Sequence, residues 1–179
     1  MSTQFDPDIH IKRRDSEVDA ITPILQRLSQ TMQRDKLVQN TTDDLRTFMQ
    51  VDRVVIYYFY SQWEGQVTFE SLSSGEFSIY GSTGPDQCFT DEYAELYLAG
   101  RIRAIDDIET ADIESCHRDF LKHLRVRANL VVPILTEKGL WGLLAAHHCQ
   151  GPHQWSAADI ERMQVGAMVL ASSSSIRGD

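Results

Sequence analysis

Asn129-Leu-Val-Val-Pro-Ile-Leu-Thr136 and Leu140-Trp-Gly-Leu-Leu-Ala-Ala-His147 are two apolar runs separated only by Glu137-Lys138-Gly139. Runs this long, joined by a short polar turn that ends in glycine, read as the two strands of an antiparallel hairpin. Pro133 has no N–H for a ladder, so it marks a bulge or an uncovered edge. Upstream, Arg53-Val-Val-Ile-Tyr-Tyr-Phe-Tyr60 is rich in β-branched and aromatic residues and too short for a typical helix, which makes it a central strand. Trp63-Glu64-Gly65 turns the chain into Gln66–Ser71, and Gly75 introduces Glu76–Tyr80, so a meander of antiparallel strands is expected there.

Helical patterns surround these strands. Val18, Ile21, Leu25, Leu28 and Met32 recur at spacings of three and four and line one helix face. A shorter helix follows, with Thr42 as N-cap and Leu45, Phe48 and Met49 on its apolar side. After the loop-forming Gly81-Ser-Thr-Gly-Pro-Asp-Gln-Cys88, a helix from Thr90 buries Tyr93, Leu96 and Tyr97 and stops at Gly100, and Arg101–Ile105 forms a short strand. Acidic residues at 106, 107, 109, 112 and 114 precede a helix over Ser115–Arg125. Ser156 and Asp159 form a capping box for a last helix carrying Ile160, Met163, Ala167 and Leu170. This order predicts an α+β sandwich, a central antiparallel sheet with helices on its faces. Residues 1–15 read as a mobile leader, 16–175 as one domain and 176–179 as a tail.

The 179 residues suit one domain, and 42% hydrophobic with 24% charged residues is the balance of a folded globular chain. A formal net charge of −9 repels phosphate backbones and anionic lipid, which argues against nucleic-acid or membrane partners. No apolar run spans a bilayer and the first residues lack a signal-peptide core, so a cytoplasmic location is expected. The three cysteines, Cys88, Cys116 and Cys149, are too few for a secreted disulfide scaffold and read as reduced thiols with separate roles.

Cys116 stands near the start of its helix, where unpaired N–H groups and the dipole favour a thiolate; a buried cysteine that only packs is the plain alternative. His117 is adjacent, and a ligand lying across that helix end touches both. Cys88 sits in Asp86-Gln-Cys-Phe89 after a Gly-Pro loop, where an exposed thiol is avoided unless it is used. Asp86 can accept several hydrogen bonds from a cationic or N–H-rich ligand or serve simply as a turn former. Arg101 and Arg103 lie two residues apart on a strand, hence on one face, where either guanidinium can clamp a carboxylate or stay solvated. His147 and His148 alternate to opposite faces, one toward the core. The Cys and His residues lack metal-ligand spacing, so an organic ligand is favoured over a metal.

Asp86-Gln-Cys-Phe89, Cys116-His117 and Leu140-Trp-Gly-Leu-Leu-Ala-Ala-His147, in this order, resemble the marks of a cyanobacteriochrome GAF domain of the DXCF subgroup, a phytochrome-related photosensor, over about Ser16–Ala171. The resemblance implies that Cys116 forms a permanent thioether to phycocyanobilin or its isomer phycoviolobilin, both linear tetrapyrroles. It implies that Cys88 forms a second, reversible linkage giving a blue- or violet-absorbing state that light converts to a longer-wavelength, green state. By the same resemblance Asp86 accepts pyrrole N–H bonds, His117 packs on the rings, Arg101 rather than Arg103 holds a propionate, and His147 approaches ring D. Phe89, within the motif, and Phe120, where relatives often carry Tyr, border the pigment; His148 stands where many have Gln. Cys149 falls outside the motifs. No enzymatic turnover is implied beyond self-catalysed attachment and isomerisation of the bilin. The output domain would lie outside this chain, and the terminal helices could pair two copies. The alternatives are a GAF domain that senses a small metabolite without a pigment, and a GAF-type free methionine sulfoxide reductase using Cys88 and Cys116.

Overall fold

The computed structural model describes residues 7–83 and 91–178, with residues 7–19 as backbone only. In chain order the elements are α1 (Pro7–Arg34), α2 (Lys36–Met49), β1 (Arg53–Ser61), β2 (Glu64–Leu72), a 3-10 turn (Gly75–Phe77), α3 (Asp91–Leu98), β3 (Arg103–Ile105), α4 (Ser115–His123), β4 (Ala128–Thr136), β5 (Gly139–His148), α5 (Ala157–Ala171) and α6 (Ser174–Arg177). The strands form one sheet in the order β2-β1-β5-β4-β3, and every neighbouring pair is antiparallel. The β4–β5 hairpin turns at Gly139, paired with Thr136, so it lies at the sheet's centre as the two apolar runs require. Pro133 lies beyond the β3 pairing, which ends at Val131, and a register shift follows at Ile134/Leu135. Both readings of that proline, edge and bulge, are therefore realised within two residues.

Period-two alternation divides the strands into two buried faces. On one face Val54, Ile56, Leu130, Val132, Leu144 and Ala146 meet Met32 of α1, Leu45 and Met49 of α2, and Met163, Ala167 and Leu170 of α5 in one core. The capping box of Ser156 and Asp159 starts α5 and sets its apolar stripe against the sheet. On the other face Val55, Val67, Val131 and Ala145 pack with Tyr97 of α3, Leu121 of α4 and Ile108. That second face is covered by short helices and loops, and it is where a cleft opens. No helix among the described residues is long and apolar enough to cross a membrane.

Four local expectations are corrected. The first helix starts at Pro7, well ahead of Val18, where the apolar spacing begins. Asp35, not Thr42, caps α2: its carboxylate accepts from the Leu37 and Val38 N–H groups at 3.0 and 3.4 Å. Thr42 is buried mid-helix, its hydroxyl donating back to the Val38 carbonyl at 2.9 Å. Glu76–Tyr80 forms no strand, because side chains take over its backbone partners: the Ile79 N–H donates to Glu70 at 3.0 Å and the Phe77 carbonyl accepts from Arg53 at 2.8 Å. Finally, α3 buries Ala94 and Tyr97 while Leu96 is exposed, and the helix stops at Gly100, whose φ of +90° is the left-handed conformation glycine adopts without a Cβ penalty.

Candidate functional site

Arg53, His147, Asn129 and Ile105 are direct cross-strand partners, one from each of β1, β5, β4 and β3, and so form a single row across the second face. The next residues of the same face, Val55, Tyr57 and Phe59 on β1, Leu143 and Ala145 on β5, and Val131 on β4, floor a cleft of about 1120 Å³, its open mouth included. Trp63, Tyr93, Tyr97, Phe120 and Leu121 wall it. Tyr57 meets Phe59 edge to face at 5.3 Å between ring centroids, and Phe59 meets Trp63 the same way at 5.4 Å. Such contacts fix flat apolar surfaces beyond what area burial alone provides. Ligand pockets are mostly apolar with a few placed polar groups, and the lining of this cleft has that character.

Cys116, His117, Phe120, Arg101 and His147 all line this cleft, although they come from α4, the segment before β3, and the end of β5. Cys116 is the second residue of α4 after the N-cap Glu114 and is exposed, which sets aside the reading of a cysteine that only packs. Its sulfur is held in a disulfide, where the sequence pointed to a reduced thiol. His117 is half-buried one position on, and its pKa falls to about 4, chiefly through burial and further through the nearby Arg103 and Arg101 cations. It is therefore a neutral imidazole at neutral pH.

Arg101 and Arg103 both line the cleft. The Arg101 guanidinium carbon lies 5.6 Å from the Tyr93 ring centroid and 6.0 Å from that of Tyr97, within cation–π range. Neither arginine has an ion pair among the described residues. A chain of net charge −9 thus places two cations without an ion pair among the described residues beside one apolar cleft, and a guanidinium fork there matches the geometry of a carboxylate.

At the far end His147 is 4% exposed and accepts a hydrogen bond at Nδ1 from Arg53 Nε at 2.9 Å. Arg53 is fully buried and also donates to the carbonyls of Phe77 and Leu124. Burial first, and the Arg53 charge second, push the His147 pKa well below its ordinary value. His148 points away from the cleft, with its Nδ1 2.8 Å from the Gly151 carbonyl oxygen. Cys149, half-buried and free, has its thiol pKa raised by burial and does not line the cleft. Asp86, Cys88 and Phe89 lie outside the described residues. Among the described residues no group of three His, Cys, Asp or Glu side chains is placed to hold a metal ion.

Tyr57, Phe59, Trp63 and Asn129 are site residues the sequence reading missed. The signal for three of them was present: Tyr57 and Phe59 alternate in phase with Arg53, and Asn129 is a polar residue opening an apolar strand. What was missing was which strand face carries the cleft.

The GAF domain family model matches residues 33–173. An uncharacterized protein of Picosynechococcus sp. is 51% identical over 152 residues, covering 85% of this chain and 93% of that protein. A putative methyl-accepting chemotaxis protein of Synechocystis sp. is 38% identical over 135 residues, 75% of this chain but only 14% of that protein's length. Among solved structures, the blue-light absorbing form of the Thermosynechococcus elongatus PixJ GAF domain superposes with a TM-score of 0.69 at 35% identity, covering 80% of this chain and 88% of that one. The phycocyanobilin-bound GAF domain of a cyanobacterial phytochrome gives a TM-score of 0.67 at 28% identity over 86% of this chain and 94% of that one.

Proposed function

The chain belongs to the GAF family, built like the cyanobacteriochrome and phytochrome photoreceptor domains, and on that premise we propose that it is a cytoplasmic light sensor holding a linear tetrapyrrole, phycocyanobilin or phycoviolobilin, through Cys116. The observation that carries this reading is the convergence on one aromatic cleft of Cys116, His117 and two arginines that have no ion pair among the described residues. The bilin would supply a long conjugated system whose colour follows conjugation length and whose double bond to ring D twists in light.

Each lining group has a matching task. Reduced Cys116 adds its sulfur across a ring A double bond, so that an S–C bond forms, the thiol proton moves to the neighbouring carbon and no oxidant is consumed. Since the sulfur starts in a disulfide, assembly needs a thiol reductant that takes up its oxidation and releases the thiol. Arg101, with Arg103 beside it, holds the propionates. Neutral His117 offers one donor and one acceptor nitrogen against the pyrroles without adding a third positive charge. Phe120, Tyr57 and Phe59 supply apolar contact, to which Phe89 would add as part of its motif, and His147 meets ring D. Asp86 accepts pyrrole N–H bonds and offsets the charge of the protonated pigment. Reduced Cys88 would add its sulfur to the central methine carbon while its thiol proton passes to a pyrrole nitrogen, dividing the conjugation to give a blue- or violet-absorbing state, and light would reverse the addition, returning the thiol and a longer-wavelength, green state. Output passes to a domain or partner beyond this chain, as the short share of the chemotaxis protein spanned here supports.

Co-expression with a phycocyanobilin supply, with spectra recorded before and after blue light, tests the reading. The expected result is a coloured protein that photoconverts, with Cys88→Ala retaining pigment but losing the blue form. A protein that stays colourless, or one that instead turns over free methionine sulfoxide, refutes it.

A further inference from the structure

Asn129 is only 2% exposed and lines the cleft, and its side-chain oxygen, Oδ1, is buried and has no hydrogen-bond partner among the described residues. Leaving such an oxygen unpaired costs on the order of 1–3 kcal/mol, so its retention calls for a partner that the described residues do not provide. Its cross-strand neighbour is His147. Arg53 can only donate, so the 2.9 Å bond from its Nε obliges His147 Nδ1 to be the unprotonated nitrogen. The imidazole proton then sits on Nε2, which has no hydrogen-bond partner among the described residues. One row of the sheet thus sets an unmatched donor beside an unmatched acceptor at the same end of the cleft.

We propose that Asn129 is a ligand-binding residue and Arg53 a positioning residue: the Asn129 oxygen accepts an N–H from the bound molecule while His147 Nε2–H, fixed in that tautomer by Arg53, donates to the adjoining carbonyl. The chemical group that presents a carbonyl and an N–H side by side is a lactam, and the terminal rings of a linear tetrapyrrole are lactams. The inference rests on the bilin reading and extends it, since it says which edge of which ring enters this end of the cleft. His148, on the opposite face and bonded to Gly151, has no part in it.

The test measures covalent uptake of phycocyanobilin by reduced protein and records the concentration giving half-maximal rate. In Asn129→Leu, of nearly the same shape without the polar atoms, that concentration rises on the order of tenfold, as expected for one buried hydrogen bond. Asn129→Asp, which keeps an acceptor, stays near the wild-type value. Pigment-free Asn129→Leu melts at or above the wild-type temperature, because an unsatisfied oxygen has been removed; a residue serving only the fold would lower it. Nitrogen-15 NMR of the pigment-free wild type, which needs no variant, shows His147 with Nδ1 bare and Nε2 protonated. Unchanged uptake in Asn129→Leu, a lowered melting temperature, or a proton on Nδ1 overturns the proposal while leaving the bilin reading standing. A wild-type chain that takes up no pigment overturns both.

Discussion

His117 gives a prediction that needs no pigment. Burial, with Arg103 and Arg101 adding to it, holds its pKa at about 4 instead of 6.5, so the folded chain resists a proton that the unfolded chain accepts. The sign follows from linkage: the stability His117 contributes is complete above its unfolded pKa, and it is lost as pH falls from about 6.5 toward 4. From about pH 8 to about pH 4.5 the difference in proton binding integrates to about 2.5 kcal/mol, and to about 2 kcal/mol once the imidazole's partial contact with water is allowed for. Urea denaturation of wild type and His117→Gln across this range measures it. The wild type should lose about 2 kcal/mol more than the variant, the contribution of every other group, His147 included, cancelling between the two. An NMR titration should place the His117 midpoint near 4. Parallel pH curves for the two proteins, or a wild-type midpoint near 6.5, would refute the claim that burial and the nearby Arg103 and Arg101 keep His117 neutral.

Three further outcomes follow from the packing and the ion pairs. Leu144→Ala, at a fully buried position in the sheet's centre, should cost about 2–5 kcal/mol in urea denaturation, and a loss under about 1 kcal/mol would contradict the assigned core. In Gly142→Ala the new Cβ meets the Tyr57 carbonyl oxygen at 2.2 Å, a backbone atom that cannot swing aside, so a loss of about 1–3 kcal/mol or more is expected together with displaced cleft aromatics; a wild-type melting curve would contradict it. Asp107, hydrogen-bonded by Arg127 at 2.7 and 3.0 Å, has its pKa lowered to about 2 mainly by that contact, so its contribution is present above pH about 4 and lost as pH falls through about 2. Asp107→Asn should accordingly melt below the wild type at neutral pH, with the gap closing in acid, and an unchanged gap would count against the pair.

Much of this architecture is written in local pattern. The β4–β5 hairpin, the central strand from Arg53 and the capped last helix each rest on a period or a turn confined to a few residues, and each stands where the pattern puts it. Thr42 and Glu76–Tyr80 were misread for a common reason: their backbone groups are governed by distant or flanking side chains, Asp35 for the one and Arg53 and Glu70 for the other. The site divides in the same way. Cys116, His117 and His147 stand in the quoted motifs, Phe120 and the choice of Arg101 came with the family resemblance, and all five line one cleft. Tyr57, Phe59 and Asn129 were not legible, because alternation shows that residues share a face without showing which face is left open. The Arg53–His147 bond spans 94 positions in sequence, and no local pattern encodes it.

The central claim is that Cys116 binds a tetrapyrrole covalently. Wild type and Cys116→Ala, each loaded with phycocyanobilin under reducing conditions, are denatured, resolved on a gel stained by zinc fluorescence, and digested for mass spectrometry. Fluorescence on the wild-type band alone, with the pigment's mass on the peptide containing Cys116, is the predicted result. Pigment that washes from the denatured wild type, or that stays on Cys116→Ala, would contradict it.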